Sequence, residues 1–183
     1  MKNTEDYVVL VDERDRKIGI QEKRTVHTQE TPLHRAFSLF LFNAAKELLL
    51  QQRAEGKKTW PLVWSNSCCG HPYPGESYAS AVMRRTRYEL GVDLTTVEKI
   101  SDYRYCFSKD GVMENEICPI FIGCYDGKVT PDPREVQAVK WVKWAAWLEE
   151  TITCPERYSP WCIEETRILA SDKKFNTFMR SPS

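Results

Sequence analysis

The chain has 183 residues, of which 42% are hydrophobic and 28% charged, with 26 basic and 26 acidic side chains. This size and composition predict one soluble globular domain over residues 1–183. Because basic and acidic side chains balance, the sequence disfavours a nucleic-acid-binding protein, which usually carries a positive surplus.

The sequence also predicts a cytoplasmic protein without a membrane span. The opening stretch "MKNTEDYVVLVDERDRK" lacks the apolar core of a signal peptide. The longest apolar-rich stretch, "AFSLFLFNAA", is too short to cross a bilayer, which takes about 20 residues. The seven cysteines include no C-x-x-C pair, and we expect all of them to be free thiols in a reducing compartment.

Strands are predicted in the first third of the chain. The stretches "YVVLV" at 7–11 and "KIGI" at 17–20 flank a charged turn, which predicts a β-hairpin. The apolar runs "AFSLFLF" at 36–42 and "ELLLQQ" at 47–52 predict two further strands.

Residues 77–90 predict a helix. Ser77 is a suitable N-cap, and Gly91 stands where a helix-ending glycine is usual. Arg85 and Glu89 are one turn apart on the flank of the apolar stripe, which predicts that they line a groove between helix and sheet. The buried stripe itself is predicted from helical spacing to contain Ala79, Val82, Met83, Thr86 and Leu90.

The second half of the chain is predicted to contain both strands and helices. Strands are expected at 98–107, at 116–125 and in "EVQAVKWVKW", and helices at 143–152 and 161–175. Strands that bracket helices predict an α/β (α+β) fold, a mixed β-sheet sandwiched between helices with the N-terminal β-hairpin as an extension.

The three histidines and one acidic pair are candidate metal ligands. Taken alone, His27, His34 and His71 form no local metal motif, and solvated or hydrogen-bonded histidines are the commoner case. On a strand through "MENEICP", Glu114 and Glu116 point to the same face, where two carboxylates repel unless a cation or a shared proton relieves them. Mixed nitrogen and oxygen ligands suit Mn²⁺, Mg²⁺ or Zn²⁺. The alternative is a charged face of an edge strand.

Basic residues are a third candidate group. Lys23, Arg53, Lys57, Lys58 and Arg85 are scattered over loops and one helix flank, and ordinary surface charge is the alternative for each. Together with a divalent cation they predict a clamp for a phosphate or diphosphate. The sequence contains neither GxxxxGK[ST] nor GxGxxG, so nucleotide binding of those kinds is unsupported.

One spacing pattern resembles the Nudix box. From Gly70 the chain has five residues, then Glu76, seven residues, and "RRTRYELGV". The pattern departs from the box at Arg85 and Tyr88, and of the acidic cluster on the helix Glu89 alone remains. Since a Nudix hydrolase uses those carboxylates to hold Mg²⁺ and activate water, the departure favours binding a diphosphate without cleaving it.

The whole chain resembles the type 1 isopentenyl-diphosphate Δ-isomerases, most closely the bacterial form. The matching stretches cover nearly all of residues 7–165, among them "EKRTVHTQETPLHRAF", "WSNSCCGHP", "RYCF", "MENEICP" and "YSPW". The resemblance implies interconversion of isopentenyl and dimethylallyl diphosphate. In that reaction a proton is added at one end of the allylic unit and another is removed, on opposite faces.

The resemblance also implies catalytic residues. Cys69 matches the catalytic cysteine, Glu116 the opposing acid or base, Tyr105 a tyrosine that hydrogen-bonds this glutamate, and Trp161 an aromatic that faces the cationic centre. Cys68 is then expected to be a small packing residue.

Metal and diphosphate ligands follow from the same resemblance. A site for Mn²⁺, Zn²⁺ or Mg²⁺ is implied at His27, His34, His71, Glu114 and Glu116. A Mg²⁺ ion that bridges the diphosphate is implied at Glu89 and the backbone carbonyl of Cys69. Contacts to the diphosphate are implied for Lys23, Arg53, Lys57 and Arg85.

Other functions compete with this interpretation. A divergent Nudix diphosphate hydrolase is the main alternative, followed by a non-catalytic metal- or diphosphate-binding module. A thiol hydrolase built on Cys69 and His71 is the weakest, because their spacing does not ensure contact. A flavin-dependent isomerase of the same reaction is excluded, because its (β/α)₈ barrel takes about 250 residues. The expected partner is a small diphosphate, and a homodimer is left open.

Overall fold

The computed structural model describes residues 7–181, which form twelve strands and five helices. The strands are β1 (Tyr7–Val11), β2 (Lys17–Glu22), β3 (His34–Arg35), β4 (Phe37–Phe42), β5 (Glu47–Arg53), β6 (Trp64–Ser65), β7 (Cys68–Gly70), β8 (Glu98–Ser101), β9 (Arg104–Lys109), β10 (Val112–Ile117), β11 (Ile120–Cys124) and β12 (Val136–Lys143). The helices are α1 (Lys23–Val26), α2 (Tyr78–Leu90), α3 (Trp144–Thr153), α4 (Pro160–Ser171) and α5 (Lys173–Arg180), with a 3₁₀ turn at Pro155–Arg157.

The larger sheet is mixed and has seven strands. Its strand order is β12-β5-β4-β11-β8, with β6 added beside β5 and β7 beside β4. Strand β11 runs parallel to β4, whereas the other pairs are antiparallel.

Helices cover both faces of this sheet, as the sequence predicts. Side chains alternate along β4, so Phe37 and Leu39 pack towards α2, whereas Phe40 and Phe42 pack towards α3, α4 and α5. Each is completely buried, and burying one such side chain stabilises the fold by about 1.5–3 kcal/mol.

A second sheet of five strands was not predicted. Its order is β2-β1-β3-β10-β9, so the predicted N-terminal hairpin forms one end of this sheet. The hairpin joins β10 through the two-residue strand β3, which pairs antiparallel with β1 and parallel with β10. Pairings between segments so distant in sequence leave no local pattern, which is why the sequence did not reveal them.

Helix α2 begins and ends as predicted. The Ser77 hydroxyl accepts a hydrogen bond from the Ser80 N–H at 3.2 Å. Gly91 adopts the left-handed conformation with φ of 63°, and a Cβ there would lie 2.9 Å from the carbonyl oxygen of Thr130. A glycine is therefore required at this position.

The predicted buried stripe of α2 is partly wrong. Ala79 and Met83 are half-buried, and the buried residues are Ala81, Val82, Thr86, Glu89 and Leu90. Glu89 can take a buried position because its carboxylate is paired with Arg85 at 2.7 Å.

Three predicted boundaries also need correction. The strand predicted at 98–107 is split into β8 and β9, and the strand predicted at 116–125 is interrupted at Pro119, which has no N–H for a ladder. The helix predicted at 161–175 is split at Asp172, whose carboxylate caps α5 by accepting from a backbone N–H.

The residue range 7–181 contains no helix that combines the length and apolar character needed to cross a bilayer. The seven cysteines are free thiols, as expected.

Candidate active site

A single pocket gathers most of the predicted site residues. Its volume is about 380 Å³. The predicted residues on its wall are Lys23, His27, Arg53, Lys57, Lys58, Cys69, His71, Arg85, Tyr105, Glu114, Glu116 and Trp161. The thiol of Cys69 and the carboxylate of Glu116 therefore face one shared space.

The register of the five-stranded sheet assembles the acidic part of the site. His34 on β3 is the partner of Glu116 on β10, and Tyr105 on β9 is the partner of the same glutamate on the other side. Glu114 lies two residues earlier on β10, so its side chain is on the same face. Three strands thus place these side chains next to each other.

Three imidazoles and a carboxylate converge there. One ligand atom each from His27, His34, His71 and Glu116 lies within 4.8 Å of all the others. His71 Nε2 is 2.9 Å from Glu116 Oε1, and His27 Nε2 is 2.9 Å from Glu114 Oε2. The structure therefore brings together four of the five residues that the resemblance implies as metal ligands, and the fifth, Glu114, contacts the group through His27.

Orphaned polar atoms show that this donor set fits a cation. Within residues 7–181, His27 Nε2, His34 Nε2 and Glu114 Oε2 are buried and make no hydrogen bond, although each lies within 3.3 Å of a carboxylate oxygen or imidazole nitrogen of the cluster. The other ring nitrogen of His34 is 2.9 Å from the carbonyl oxygen of Pro32. An Nδ1–H donated to that oxygen leaves the Nε2 lone pair directed at the cluster, as in metal-bound histidines.

Protonation states at the cluster favour the same conclusion. Burial lowers the pKa of His71 to about 3, and contact with Glu116 offsets this in part. Burial would raise the pKa of Glu116, but the imidazoles of His34 and His71 outweigh it and hold that pKa well below its usual value. A neutral imidazole and a carboxylate at neutral pH are the forms that bind a divalent metal.

Cys69 is held as a protonated thiol. Its strand β7 pairs with β4, which places Ser38 beside it. The thiol donates to Asn66 Oδ1 at 3.2 Å and lies 3.5 Å from the Ser38 hydroxyl. Burial, together with the nearby charge of Glu165, raises the pKa of the Cys69 thiol to about 12. At neutral pH this side chain can therefore give a proton.

An aromatic wall borders the other proton-transfer group. The Tyr105 hydroxyl donates a hydrogen bond to Glu116, as the resemblance implies. The Tyr105 ring stacks on Trp161 with centroids 5.9 Å apart, and Trp60 meets Trp161 edge-on at 5.1 Å. Trp161 is 3% exposed, so its orientation is fixed by packing.

Two of the predicted diphosphate contacts are paired with carboxylates. Arg85 lies 2.7 Å from Glu89 and 2.8 Å from Glu135, and Lys57 donates to Glu135. Glu89, the implied Mg²⁺ ligand, is 2% exposed and also accepts from Gln51. Its carboxylate lies behind Arg85 and not on the pocket wall.

The other basic residues predicted to bind the diphosphate have different surroundings. Arg53 donates through Nε and Nη2 to the carbonyls of Thr59 and Trp60, so it also fastens the loop after β5. Lys58 donates to the carbonyl of His27 at 2.7 Å. Burial, followed by the charges of neighbouring cations, lowers the pKa of Lys23 to about 8.

Two residues of the Nudix box, Arg84 and Gly70, determine how neighbouring segments of the site pack. Arg84 is 2.7 Å from Glu76 and donates to the carbonyl of His71, which fixes the segment that carries this imidazole. A Cβ on Gly70 would lie 3.1 Å from Arg85 Cγ, so glycine permits the close approach of β7 and α2. Cys68 is completely buried in the core beneath α2, as expected for a packing residue.

Sequence reasoning missed several residues around the site, among them Ser38 and Glu165 beside the Cys69 thiol. Asn66 lies in the stretch "WSNSCCGHP", three residues before Cys69, so a contact between its amide and the thiol could have been predicted from the sequence. Trp60 and Glu135 had no such indication, because their contacts are with residues far away in the chain.

Comparisons with known proteins agree with this fold. The family model for the NUDIX domain matches residues 32–162. The structure of DR0079 from Deinococcus radiodurans superposes with a TM-score of 0.71 at 21% identity, covering 88% of this chain and 98% of that one. A MutT protein from Methanosarcina mazei gives a TM-score of 0.64 at 20% identity, covering 83% and 99%. The fold and the box define a Nudix protein.

Curated relatives show which family of Nudix proteins the chain belongs to. The isopentenyl-diphosphate Delta-isomerase of Frankia alni is 44% identical over 165 residues, or 89% of this chain and 85% of the relative. That of Klebsiella pneumoniae subsp. pneumoniae is 42% identical over 87% and 88% of the two chains. The chain belongs to the isopentenyl-diphosphate Delta-isomerase family, which confirms the resemblance seen in the sequence.

Proposed function

We propose that the protein interconverts isopentenyl and dimethylallyl diphosphate by a metal-dependent shift of the double bond in isoprenoid biosynthesis. One observation carries the proposal beyond family membership: the protonated thiol of Cys69 and the carboxylate of Glu116 line one small pocket. The cations on the same wall suit the diphosphate group.

The reaction needs one proton to be added and another removed. The π electrons of the terminal C=C bond of isopentenyl diphosphate take a proton, which leaves a tertiary carbocation on the neighbouring carbon. Loss of a proton from the CH₂ group on the other side of the cationic carbon forms the new C=C bond. Charge and atoms balance within the substrate if one protein group donates and a second accepts.

Cys69 and Glu116 are the two groups we assign to these transfers. At neutral pH the thiol carries a proton, because burial raises its pKa, and Glu116 is a carboxylate, so the two groups are in the opposite protonation states that a donor and an acceptor need. Tyr105 holds Glu116 by donating to it. Which group acts first depends on the direction of the reaction.

Trp161 is assigned to the carbocation. A ring face beside a desolvated cation contributes about 2 kcal/mol or more. The stack with Tyr105 keeps the ring in place before the substrate arrives. The pocket must also exclude water, because water would add to the carbocation.

The metal requirement follows from the donor atoms. His27, His34, His71, Glu114 and Glu116 would hold one divalent ion, Mn²⁺, Zn²⁺ or Mg²⁺. Glu89, whose carboxylate is paired with Arg85, and the carbonyl of Cys69 would hold Mg²⁺ once Arg85 turns from Glu89 to the diphosphate, which Lys23, Arg53 and Lys57 would also contact. A bound metal would supply positive charge to anchor the substrate and orient Glu116.

We further propose a cytoplasmic protein with one domain over residues 1–183. Whether it is a monomer or a homodimer is measured by light scattering of the purified protein.

The test is turnover of isopentenyl diphosphate in D₂O with Mg²⁺ or Mn²⁺, followed by ¹H and ³¹P NMR. We expect dimethylallyl diphosphate that carries solvent deuterium, and loss of turnover in Cys69→Ala and in Glu116→Gln. Cys106→Ala is the matched control, since that thiol is exposed on β9. Turnover retained in either site variant would refute the residue assignment, and no conversion by the parent protein would refute the function.

The same spectra test the alternative of a divergent diphosphate hydrolase. Arg85 and Tyr88 stand where the box has glutamates, and the curated relatives above are isomerases, so the alternative is disfavoured. Release of phosphate from the substrate would revive it.

A further inference from the structure

Glu135 is an acidic residue of the site that lies outside the Nudix box. It immediately precedes β12, and its side chain is 18% exposed. The oxygen Oε2 accepts a hydrogen bond from Lys57 and is 2.8 Å from Arg85 Nη2. Among the described residues, the pocket wall contains Lys57 and Arg85, whereas Glu135 lies behind them.

The two cations come from different elements and meet at this one oxygen. Arg85 projects from α2, whereas Lys57 is on the loop that follows β5. The backbone of Glu135 is fastened to the start of that loop, because its carbonyl accepts from the Ala54 N–H at 3.0 Å. The next residue, Val136, pairs with Arg53 in the sheet. Glu135 is therefore a rigid link between the loop and the helix.

Glu89 is a weaker link between the same two cations. Its carboxylate is 2.7 Å from Arg85, but its ion pair with Lys57 spans 3.9 Å, which is too long for a hydrogen bond. Without the charge of Glu135, this longer ion pair would be left to offset the repulsion between the ammonium of Lys57 and the guanidinium of Arg85. The loop and the helix would then move apart.

We propose that Glu135 is a positioning residue that sets the spacing between Lys57 and Arg85 so that both bind one diphosphate. This inference deepens the proposed function and rests on it, because the ligand is the diphosphate of that substrate. Glu135 acts through the two cations and makes no contact with the substrate.

The first consequence concerns binding. A diphosphate is equally charged in the ground state and in the carbocation-like transition state, so a misplaced clamp weakens both states alike. Uniform loss of binding raises KM and leaves kcat unchanged. We expect Glu135→Gln to raise the KM for isopentenyl diphosphate about tenfold, with kcat within about twofold of the parent value.

The second consequence concerns Lys23, which has charged neighbours on three elements. Arg85 and Lys57 repel its ammonium, Glu135 and Glu89 attract it, and His71 is also within range. Removing the charge of Glu135 lowers the pKa of Lys23 further. The alkaline limb of kcat/KM should therefore shift to lower pH in Glu135→Gln, which a loss of packing alone would not cause.

The experiment combines steady-state kinetics with calorimetric titration of inorganic diphosphate in excess Mg²⁺. Glu135→Asp keeps the charge and shortens the side chain, so we expect a raised KM with the alkaline limb near its original pH. Glu98→Gln is the matched control, since Glu98 is an exposed carboxylate that pairs with Lys174 outside the pocket. It should behave like the parent protein.

The outcomes separate the two levels of the proposal. A Glu135→Gln variant with parental KM, diphosphate affinity and pH profile, in a preparation whose parent protein is active, would overturn the role of Glu135 and leave the proposed function intact. A tenfold loss of kcat with KM unchanged would also overturn it. A parent protein that neither isomerises the substrate nor binds diphosphate would overturn the proposed function itself.

Discussion

Replacement of His34 by alanine should abolish the stabilisation that a divalent metal gives this protein. His34 is completely buried, and its Nε2 lies 3.3 Å from Glu116 Oε1 without making a hydrogen bond. The ring is fixed by its contact with the carbonyl of Pro32. A lone pair held in this way is ready for a metal ion, and alanine removes it.

The size of the effect follows from the arrangement of the ligands. They are contributed by segments as distant as His27 and Glu116, so the unfolded chain does not present the site. A ligand that binds the folded state alone stabilises it by about 2.7 kcal/mol at 100 times its Kd. For a chain of this length, about 1 kcal/mol corresponds to about 2–4 °C, so the metal should raise Tm by about 5–10 °C.

The assay is thermal unfolding with and without Mn²⁺, Zn²⁺ or Mg²⁺. His34→Ala lowers Tm in the absence of metal because it leaves a cavity, so the quantity to compare is the increase caused by the metal. Glu98→Gln is a suitable control, because Glu98 is an exposed carboxylate paired with Lys174. An increase of equal size in His34→Ala and in the parent protein would show that the histidine cluster is not the metal site.

Three further results are expected. The pKa of Lys23 is lowered to about 8, so its positive charge is present below that pH and lost above it. We therefore expect kcat/KM to fall as the pH rises from about 7 to about 9.5. A flat profile would contradict this role of Lys23. With a pKa of about 12, the Cys69 thiol is about one part in 10⁴ thiolate at pH 8. Iodoacetamide should therefore alkylate the exposed Cys106 before Cys69, as followed by peptide mapping. Faster alkylation of Cys69 would show that its thiolate is activated. Gly91→Ala should lower the free energy of unfolding in urea by about 1–3 kcal/mol, because the backbone there is left-handed and the added Cβ would meet Thr130. An unchanged unfolding midpoint would show that alanine causes no strain at this position.

Local patterns predicted much of the fold. Ser77 and Gly91 mark the ends of α2 because capping is a property of a few adjacent residues. The alternation of buried side chains along β4 likewise follows from the apolar run itself. The error at Pro119 was avoidable, since proline interrupts a strand ladder on physical grounds that the sequence already displays.

The five-stranded sheet could not be predicted in this way. Its centre is β3, which has two residues and no periodicity, and the register of His34 with Glu116 joins segments about 80 residues apart. The resemblance to a family supplied the same ligands by another route. Glu135 shows the limit of that route, because its role depends on the distance between Lys57 and Arg85 and not on any motif.

The central claim is that Cys69 and Glu116 act as acid and base in one reaction within one pocket. The most direct test compares turnover of isopentenyl diphosphate by Cys69→Ala, Glu116→Gln and the double variant. Groups that act as a unit are not additive, so the double variant should be no slower than the slower single variant. Losses that multiply in the double variant would show that the two side chains act independently, which would contradict the account.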